Sequence, residues 1–464
     1  MPTIRYWLLL TAALIYSSHT YAEQKGAEAK AATTKAAEQA AKIKLEPTPA
    51  AANAEVQRAL PLEDLRIFTQ IYEQIRKNYV DEIDDKTLLE YAIRGMLDKL
   101  DPHSAYLDKS SFNDLQVHTT GEFGGIGIEV SMEDGFLKVV SPIDDTPASK
   151  AGIESGDIIV KLNDTFVKGL ALDEAIELMR GPKDTEITIT ISRQDVSEPF
   201  DVVIVRDIIK VRSIRHEIVN DHYGYVRIAQ FQTRTGPDMI NAINEMRAQT
   251  ELEGLVLDLR NNPGGVLQAS VTVAGAFLDG DKVVYTEGRT EAMNEAFFAE
   301  AGDITNGLPL VVLINDGSAS ASEIVAGALQ DHKRAVILGT RSFGKGSVQT
   351  VQPISQDKAI KLTTARYYTP NGRSIQAQGI EPDIPVERVR VTAIKGQRSV
   401  SEAELSGHIN NNSGKEIDRK TRNAEQDRTE QSLQNQDNQL YEAINLLKGL
   451  SIFNHLKAET SPAQ

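Results

Sequence analysis

Segments typical of strands and helices alternate between Ile209 and Val386, and this order constrains the fold more than any other feature of the 464-residue chain. Each strand-like segment is a short apolar or β-branched run, and longer amphipathic segments separate these runs. Strands are expected at residues 223–228, 255–259, 310–314 and 335–338, and helices at 237–249, 267–277 and 320–329. The alternation predicts an α/β domain with a largely parallel sheet, because parallel strands need long crossover connections.

A β-rich region precedes this domain, with short strand-like runs and one helix at about residues 172–180. Its first motif is a loop formed by Gly125, Ile126, Gly127 and Ile128. Pro-Ala-Ser-Lys-Ala-Gly-Ile from Pro147 and Ser-Gly-Asp-Ile-Ile from Ser155 follow, and the ordered motifs resemble a bacterial PDZ domain. The resemblance implies that the loop amides bind a peptide's terminal carboxylate while the peptide adds as a strand beside the helix. The alternative is a β-rich domain with an ordinary tight turn at those glycines.

The N-terminus has the layout of a secretory signal peptide at residues 1–22. Arg5 supplies the n-region charge, an apolar run extends from Trp7 to Tyr16, and small Ala22 precedes the expected cleavage point. The apolar run is shorter than the ~20 residues that a membrane-spanning helix requires. We therefore expect a periplasmic protein, with association to the inner membrane through an uncleaved anchor as the alternative.

Composition divides the rest of the chain. Residues 23–59 are an Ala-rich tether, and residues 60–115 repeat apolar side chains at intervals of three and four, which indicates amphipathic helices. Residues 391–438 are polar and expected to be mobile, whereas residues 439–464 form a C-terminal helix and tail. The terminal helices are the segments expected to mediate self-association into a dimer or larger homo-oligomer, or docking to an adaptor.

The charge and the cysteine content exclude several classes of function. The formal net charge is −16, from 66 acidic against 50 basic residues, which argues against nucleic acid as a partner because such binding requires a basic face. The chain has no cysteine, so disulfides and lipid-anchored cysteines are excluded. No His, Asp and Glu cluster at ligand spacing indicates a metal, and no cofactor is expected.

Ser320 is the candidate nucleophile. It follows the buried-strand run Leu310 to Ile314 and a Gly-Ser-Ala turn, at the point where a helix is expected to begin. Free amides at a helix N-terminus can stabilise an oxyanion beside such a serine. The alternative is that Ser318, Ser320 and Ser322 only cap the helix, which serines in this position often do.

Lys345 is the candidate base, in Phe-Gly-Lys-Gly-Ser-Val-Gln, with Gln349 expected one helical turn beyond it. A lysine that accepts the serine proton near neutrality needs a pKa of about 7 to 8 instead of ~10.4. We therefore expect Lys345 to be buried beside apolar groups such as Phe343 or Val348.

A third segment supplies a candidate oxyanion hole. Leu-Val-Leu-Asp-Leu-Arg-Asn-Asn-Pro-Gly-Gly, from Leu255, is a strand that ends in a glycine turn. Gly264 or Gly265, together with Ala321, would donate the two amides, and the sequence does not choose between the glycines.

These motifs together resemble the carboxyl-terminal processing, or tail-specific, protease family, over about residues 60–388. The resemblance implies a multidomain α/β fold: an N-terminal helical segment, a PDZ domain at 116–195, an α/β protease core at 196–390 and a C-terminal helical tail. It also implies that Ser320 is the nucleophile, Lys345 the general base and Gln349 the residue that orients the lysine.

Two other chemistries use the same segments. Residues 339–346 come within one residue of a phosphate-binding loop, but Gly346 stands where a Ser or Thr should bind magnesium. Asp331 and His332 provide an alternative partner pair for Ser320 in a Ser-His-Asp triad. A capping role at the helix end is the simpler interpretation of His332.

Arg180 ends the predicted PDZ helix. A cation there stabilises the negative end of the helix dipole, and this structural role is the simpler interpretation. The alternative is a switch in which Arg180 senses bound peptide and couples the PDZ domain to the catalytic residues.

The resulting prediction is a periplasmic serine endopeptidase that selects protein substrates by their C-termini, for processing or degradation of envelope proteins. A non-catalytic PDZ scaffold is the alternative from a different class. A third hypothesis is an enzyme that is active only with an adaptor protein.

Overall fold

The computed structural model describes residues 61–194, 196–389, 406, 409 and 437–460, with side chains of the last helix described to residue 453. The predicted signal peptide, the predicted tether and most of the predicted polar segment lie outside these residues. The chain divides into two compact units, Met1–Leu88 and Leu89–Gln464. None of the helices in the described ranges has the length and apolar character needed to cross a bilayer.

The first unit contains α1 (Leu62–Asn78) and the first residues of α2 (Asp85–Asp98). Acidic residues lie in the first turn of α1 and basic residues in its last turn, which complements the helix dipole. The α2 helix begins where the Asp84 carboxylate accepts the Thr87 amide at 3.0 Å, an N-terminal cap.

The second unit begins with β1 (Ala105–Leu107) and α3 (Lys109–Thr120). The β-rich region then contains β2 (Glu122–Gly125), β3 (Ile128–Glu133), β4 (Phe136–Pro142), α4 (Pro147–Lys150), β5 (Ile158–Leu162), β6 (Thr165–Phe166), α5 (Leu172–Met179), β7 (Glu186–Ser192), β8 (Phe200–Val205) and β9 (Asp207–Lys210). Its antiparallel sheet has the order β3-β4-β5-β7-β8, so it continues beyond the boundary expected at residue 195. Strands β2 and β9 pair with each other and connect this sheet to the rest of the chain.

The α/β domain follows with β10 (Ile214–Val219), β11 (Tyr223–Ile228), α6 (Thr235–Gln249), β12 (Gly254–Asp258), α7 (Leu267–Gly275), β13 (Lys282–Gly288), β14 (Glu295–Phe298), β15 (Leu310–Ile314), α8 (Ala321–Asp331), β16 (Val336–Gly339), β17 (Ser347–Ser355), β18 (Lys358–Tyr368), β19 (Ile384–Pro385) and α9 (Asn438–Thr460). The main sheet has the order β10-β11-β12-β15-β16-β19 and is parallel except for β10, which confirms the predicted fold class. A second sheet has the strand order β1-β18-β13-β14, and β17 pairs with β18.

Both faces of the main sheet are covered, which explains why its central strands are apolar throughout. Alternate residues such as Leu257 and Val312 face α6, α7 and α8 in one core. Val256 and Val311 face the opposite way, toward Leu440, Ala443, Ile444 and Leu447 of α9. The C-terminal helix is therefore part of the folded domain.

The parallel strands bring three segments to one edge of the sheet. The chain leaves β12 toward Gly264, leaves β15 toward Ser320 and leaves β16 toward Lys345. Because these strands are parallel, their carboxyl ends lie together, where α/β proteins commonly place their sites.

Candidate active site

Ser320 lies on a strained turn between β15 and α8. Its backbone has φ 56° and ψ −111°, whereas an ordinary N-cap serine adopts an extended conformation. A non-glycine residue in this region is energetically costly and occurs where the surrounding structure enforces it. The same strand, strained serine and helix order forms the nucleophile elbow of other hydrolases. The backbone therefore favours the nucleophile interpretation over simple capping.

The turn that follows β12 packs against this serine. A Cβ at Gly264 would lie 2.8 Å from the Ser320 Cβ and 3.0 Å from the Ala321 amide nitrogen. The same Cβ at Gly265 would instead meet the Phe231 carbonyl oxygen, at 2.0 Å. Of the two glycines left open by the sequence, Gly264 is the one that contacts the serine segment.

Asn262 ties the two turns together. Its carbonyl oxygen accepts the Ala319 amide at 3.0 Å and the Ser322 hydroxyl at 2.9 Å. Its side-chain oxygen accepts the Gly264 amide at 2.9 Å. A role for that amide in binding an oxyanion therefore requires it to leave Asn262.

Lys345 lies in the loop between β16 and β17 and is half-buried. Burial lowers the pKa of Lys345, the positive charge of Lys361 lowers it further, and Glu323 and Asp101 act in the opposite direction. The direction of the shift is the one that a base requires. Of the two apolar residues expected beside the lysine, Phe343 is 64% exposed and Val348 is partly buried. The chain turns at Gly344, with φ 93°, so that backbone amides face inward.

Those amides meet Glu323, which is fully buried in the first turn of α8. One carboxylate oxygen accepts the Ser320 amide at 2.7 Å and the Lys345 amide at 2.9 Å. The other accepts the Ser342 hydroxyl and the Gly344 amide, both at 2.6 Å. Sequence reasoning assigned no role to Glu323, although an acid inside the apolar sequence of α8 was an available signal.

The expectation for Gln349 was wrong in its local structure. Gln349 lies on strand β17, which pairs with β18, and does not lie one helical turn from the lysine. Its side-chain nitrogen donates to Ser347 Oγ at 3.0 Å and to Thr363 Oγ1 at 3.3 Å. Within the residues that the structure describes, no hydrogen bond joins Gln349 to Lys345.

Three further side chains approach the pair, all from positions distant in sequence. The Tyr367 phenol lies near the Ser320 side chain; burial raises the pKa of Tyr367 to about 12, whereas Ser320 acts in the opposite direction. Asp101 accepts the Thr363 hydroxyl at 3.1 Å and interacts electrostatically with Lys345. Burial and the charge of Lys345 both lower the pKa of His103. Spacing in the sequence gives no signal for these contacts.

Both competing chemistries are excluded by geometry. His332 lies at the end of α8 opposite Ser320, and the 11-residue helix is about 16 Å long. His332 Nε2 pairs with the Lys282 carbonyl at 2.7 Å, while Asp331 pairs with Arg373. The phosphate-loop interpretation fails because a strand follows residues 339–346 instead of a helix.

The predicted peptide-binding loop borders an open edge of the PDZ-like sheet. Strand β3 begins at Ile128 and pairs with β4 on one side only. Gly127 has φ 79°, and a Cβ there would lie 2.4 Å from Thr146. Ile126 is buried, and its carbonyl accepts the Ala148 amide. The free edge of β3 is available to an added strand.

Arg180 follows the last residue of α5 and links it to α3. Its guanidinium donates to Asp114 at 2.9 Å and to Glu177 at 3.1 Å, and it lies over the Phe123 ring. The buried Arg180 Nε has no hydrogen-bond partner in the described structure. Arg180 therefore does more than end its own helix.

No group of three or more His, Asp or Glu side chains placed to hold a metal occurs in the described part of the chain. The site combines a strained serine, a lysine with a lowered pKa, and backbone amides.

Comparison with known proteins identifies the class. The model of Peptidase family S41 matches residues 222–386, that of the PDZ domain residues 124–204, and that of the activating protease CtpB N-terminal domain residues 8–111. The protein is therefore a serine-type peptidase with a PDZ domain.

Individual relatives identify the family more narrowly than the domain models do. A carboxy-terminal-processing protease of Bartonella bacilliformis is 51% identical over 351 residues, which cover 75% of this chain and 81% of the relative. The carboxy-terminal processing protease CtpA of Bacillus subtilis is 36% identical, with coverage of 68% and 67%. Among solved structures, a photosystem II D1 C-terminal processing protease is 32% identical, with a TM-score of 0.41 and coverage of 69% and 86%. The chain belongs to the carboxy-terminal processing protease family, which confirms the predicted family and enzyme class.

Proposed function

We propose that this protein is a periplasmic endopeptidase that recognises envelope proteins by their C-termini and cuts them with a Ser320-Lys345 dyad, for C-terminal processing or degradation. The observation that carries the proposal is the strained backbone of Ser320, at φ 56°, at the strand-to-helix turn beside Gly264. A serine that only capped a helix would not need this conformation.

In this proposal Ser320 Oγ attacks the peptide carbonyl carbon while its proton passes to the neutral amine of Lys345. The oxyanion that forms is stabilised by the Ala321 amide, at the N-terminus of α8, and by the Gly264 amide. Lys345 then returns the proton to the leaving amine as the C–N bond breaks. A water then attacks the acyl carbon while Lys345 removes its proton, and Lys345 passes that proton to Ser320 Oγ as the bond between the acyl carbon and Oγ breaks.

The described arrangement fits a resting enzyme. No hydrogen bond joins Ser320 to Lys345 among the described residues, and the Ser320 side chain lies near the Tyr367 phenol. The Gly264 amide donates to Asn262. This arrangement supports the hypothesis of an enzyme that is active only with an adaptor protein, whose binding would rotate the serine and free the amide.

The PDZ domain would select the substrate. Its open β3 edge can accept a peptide strand, and the loop Gly125–Ile128 would hold the terminal carboxylate. Periplasmic location is supported by the signal layout of residues 1–22 and self-association by the apolar spacing of residues 62–75. These parts of the proposal rest on sequence.

The experiment compares two unstructured reporter proteins that differ only at the C-terminus, one apolar and one ending in two aspartates. Purified residues 23–464 are expected to degrade the apolar-ended reporter faster than the other. The Ser320→Ala variant is expected to degrade neither reporter. Equal degradation of both reporters would contradict C-terminal selection, and cleavage by Ser320→Ala would contradict the nucleophile. Fractionation of the producing cells tests the periplasmic location separately.

A further inference from the structure

The Glu323 carboxylate connects two segments that sequence separates widely. It is fully buried and accepts four hydrogen bonds, all between 2.6 and 2.9 Å. Three of the donors are backbone amides, including those of Ser320 and Lys345. The three amides can only donate, so both carboxylate oxygens act as hydrogen-bond acceptors toward them.

Burial of a carboxylate is unfavourable unless its hydrogen bonds compensate. Burial raises the pKa of Glu323, and the bonds from Ser342, Ser320, Gly344 and Lys345 oppose the rise. A packed apolar residue in α8 would avoid this cost. The hydrogen bonds indicate a function that explains this unfavourable burial. The two amides bound by one carboxylate oxygen belong to the strained serine and to the lysine.

We propose that Glu323 is a positioning residue that holds the backbone of Ser320 and the backbone of Lys345 in one arrangement. The inference rests on the proposed Ser-Lys mechanism. The four hydrogen bonds of the Glu323 carboxylate go to three backbone amides and to the Ser342 hydroxyl, so its role is to position Ser320 and Lys345 and not to react.

The charge of Glu323 also affects the pKa of Lys345. Four charged or titratable groups face Lys345: Lys361 from β18, Glu323 from α8, and Asp101 and His103 from the segment before β1. The Glu323 anion raises the pKa of Lys345 and therefore opposes the lowering caused by burial and by Lys361. Removal of this anion would lower the pKa of Lys345 further.

Glu323→Gln is the informative variant. If the amide nitrogen takes the place of the oxygen that faces the Ser320 and Lys345 amides, both of those bonds are lost. If it takes the place of the other oxygen, the bond from the Gly344 amide is lost, while the Ser342 hydroxyl can accept from the new amide group. Side-chain volume is kept in both cases. We expect kcat to fall by about 10²-fold or more, because small displacements of reacting groups have effects of this size. KM should change little. The rise of kcat/KM with pH that reports Lys345 should move to lower pH.

Glu323→Asp separates geometry from charge. The shorter side chain cannot reach both pairs of donors, so kcat should fall, but the charge remains and the pH profile should stay near that of the parent. Glu291→Gln, an exposed glutamate of the same domain, is the matched control and should change neither quantity. Thermal unfolding of each variant reports whether it is folded.

The outcomes distinguish this inference from the mechanism on which it rests. Parent-like kcat and pH profile in Glu323→Gln, with Lys345→Ala inactive, would overturn the inference and leave the dyad intact. Full activity in Lys345→Ala would overturn both. If Glu323→Gln does not fold, Glu323→Asp decides, since parent-like kcat in that variant contradicts the positioning role.

Discussion

Gly264 lies against Ser320 so closely that a Cβ at position 264 would come within 2.8 Å of the serine Cβ. Its φ of 102° is also one that side chains rarely adopt. Two independent constraints, backbone conformation and contact with the proposed nucleophile, therefore require glycine at this position.

The first prediction separates these constraints. Gly264→Ala should abolish proteolysis because the new methyl group displaces Ser320 or the Ala321 amide. Gly302→Ala is a matched control, since Gly302 has φ 103° and nothing within 4 Å of an added Cβ. Both variants should lose about 1–2 kcal/mol of unfolding free energy from backbone strain, but Gly302→Ala should keep its activity. Urea unfolding and reporter cleavage measure the two effects, and an active Gly264→Ala variant would contradict the contact.

The second prediction concerns the base. Lys361 lowers the pKa of Lys345, so Lys361→Gln should raise it and move the ascending limb of the kcat/KM profile to higher pH. The lysine acts as a base only when deprotonated, which fixes this sign. Lys333→Gln removes one exposed charge from the same domain and should leave the limb in place. An equal shift in both variants would mean that the net charge of the protein, and not the proximity of Lys361, sets the position of the limb.

The third prediction concerns the C-terminal helix. Arg260 pairs with Asp437 at 2.6 Å and with Asp258 at 2.7 Å, joining the start of α9 to the end of β12. Asp437→Ala should destabilise the protein by about 2–3 kcal/mol at neutral pH, because it removes a charged partner from a buried guanidinium. Chemical unfolding measures this loss. Asp281→Ala, at an exposed position, should leave the unfolding free energy nearly unchanged. An equal loss in that variant would contradict the stabilising role of the Arg260–Asp437 pair.

The same pair predicts a pH dependence. Burial alone would raise the pKa of Asp437, but hydrogen bonds and charge from Arg260 bring it below its ordinary value. A depressed folded-state pKa means that the stabilisation is present above the unfolded-state value of ~3.9. It is lost as pH falls through the lower folded-state value. As pH falls, the parent should lose more unfolding free energy than Asp437→Ala does. Parallel curves of unfolding free energy against pH for the two proteins would contradict this prediction.

The fourth prediction tests the proposed PDZ switch. Arg180→Ala should lower turnover about fivefold or more, a typical size for coupling between sites, while leaving peptide binding nearly intact. Asp114→Ala should have the same effect, since Arg180 and Asp114 join α5 to α3 at 2.9 Å. Glu177→Ala removes only a pair within α5 and its loop and serves as the control. Unchanged turnover in Arg180→Ala would reject the switch.

Features set by local sequence were predictable. The strands at Tyr223–Ile228 and Leu310–Ile314 have the expected bounds, because each is a short apolar run that ends in a turn. The placement of Ser320 before α8 follows from the same pattern. Parallel pairing followed from the alternation of elements and brought the glycine turn, the serine and the lysine to one edge of the sheet.

Features that depend on tertiary contacts were not predictable in the same way. Gln349 was placed on a helix because spacing of four suggests a helical turn, whereas pairing with β18 makes this segment a strand. The bonds of Glu323 join α8 to the loop that follows β16, and the proximity of Tyr367 to Ser320 joins β18 to the turn before α8. Which glycine contacts the serine depends on where Phe231 lies, and one sequence does not specify that.

The most direct test of the central claim is cleavage of an unstructured reporter by residues 23–464, by Ser320→Ala and by Lys345→Ala, measured from pH 6 to pH 10. The account predicts cleavage by the parent alone, with a rate that rises through the lowered pKa of Lys345. Cleavage by Lys345→Ala at any of these pH values would contradict the Ser-Lys mechanism.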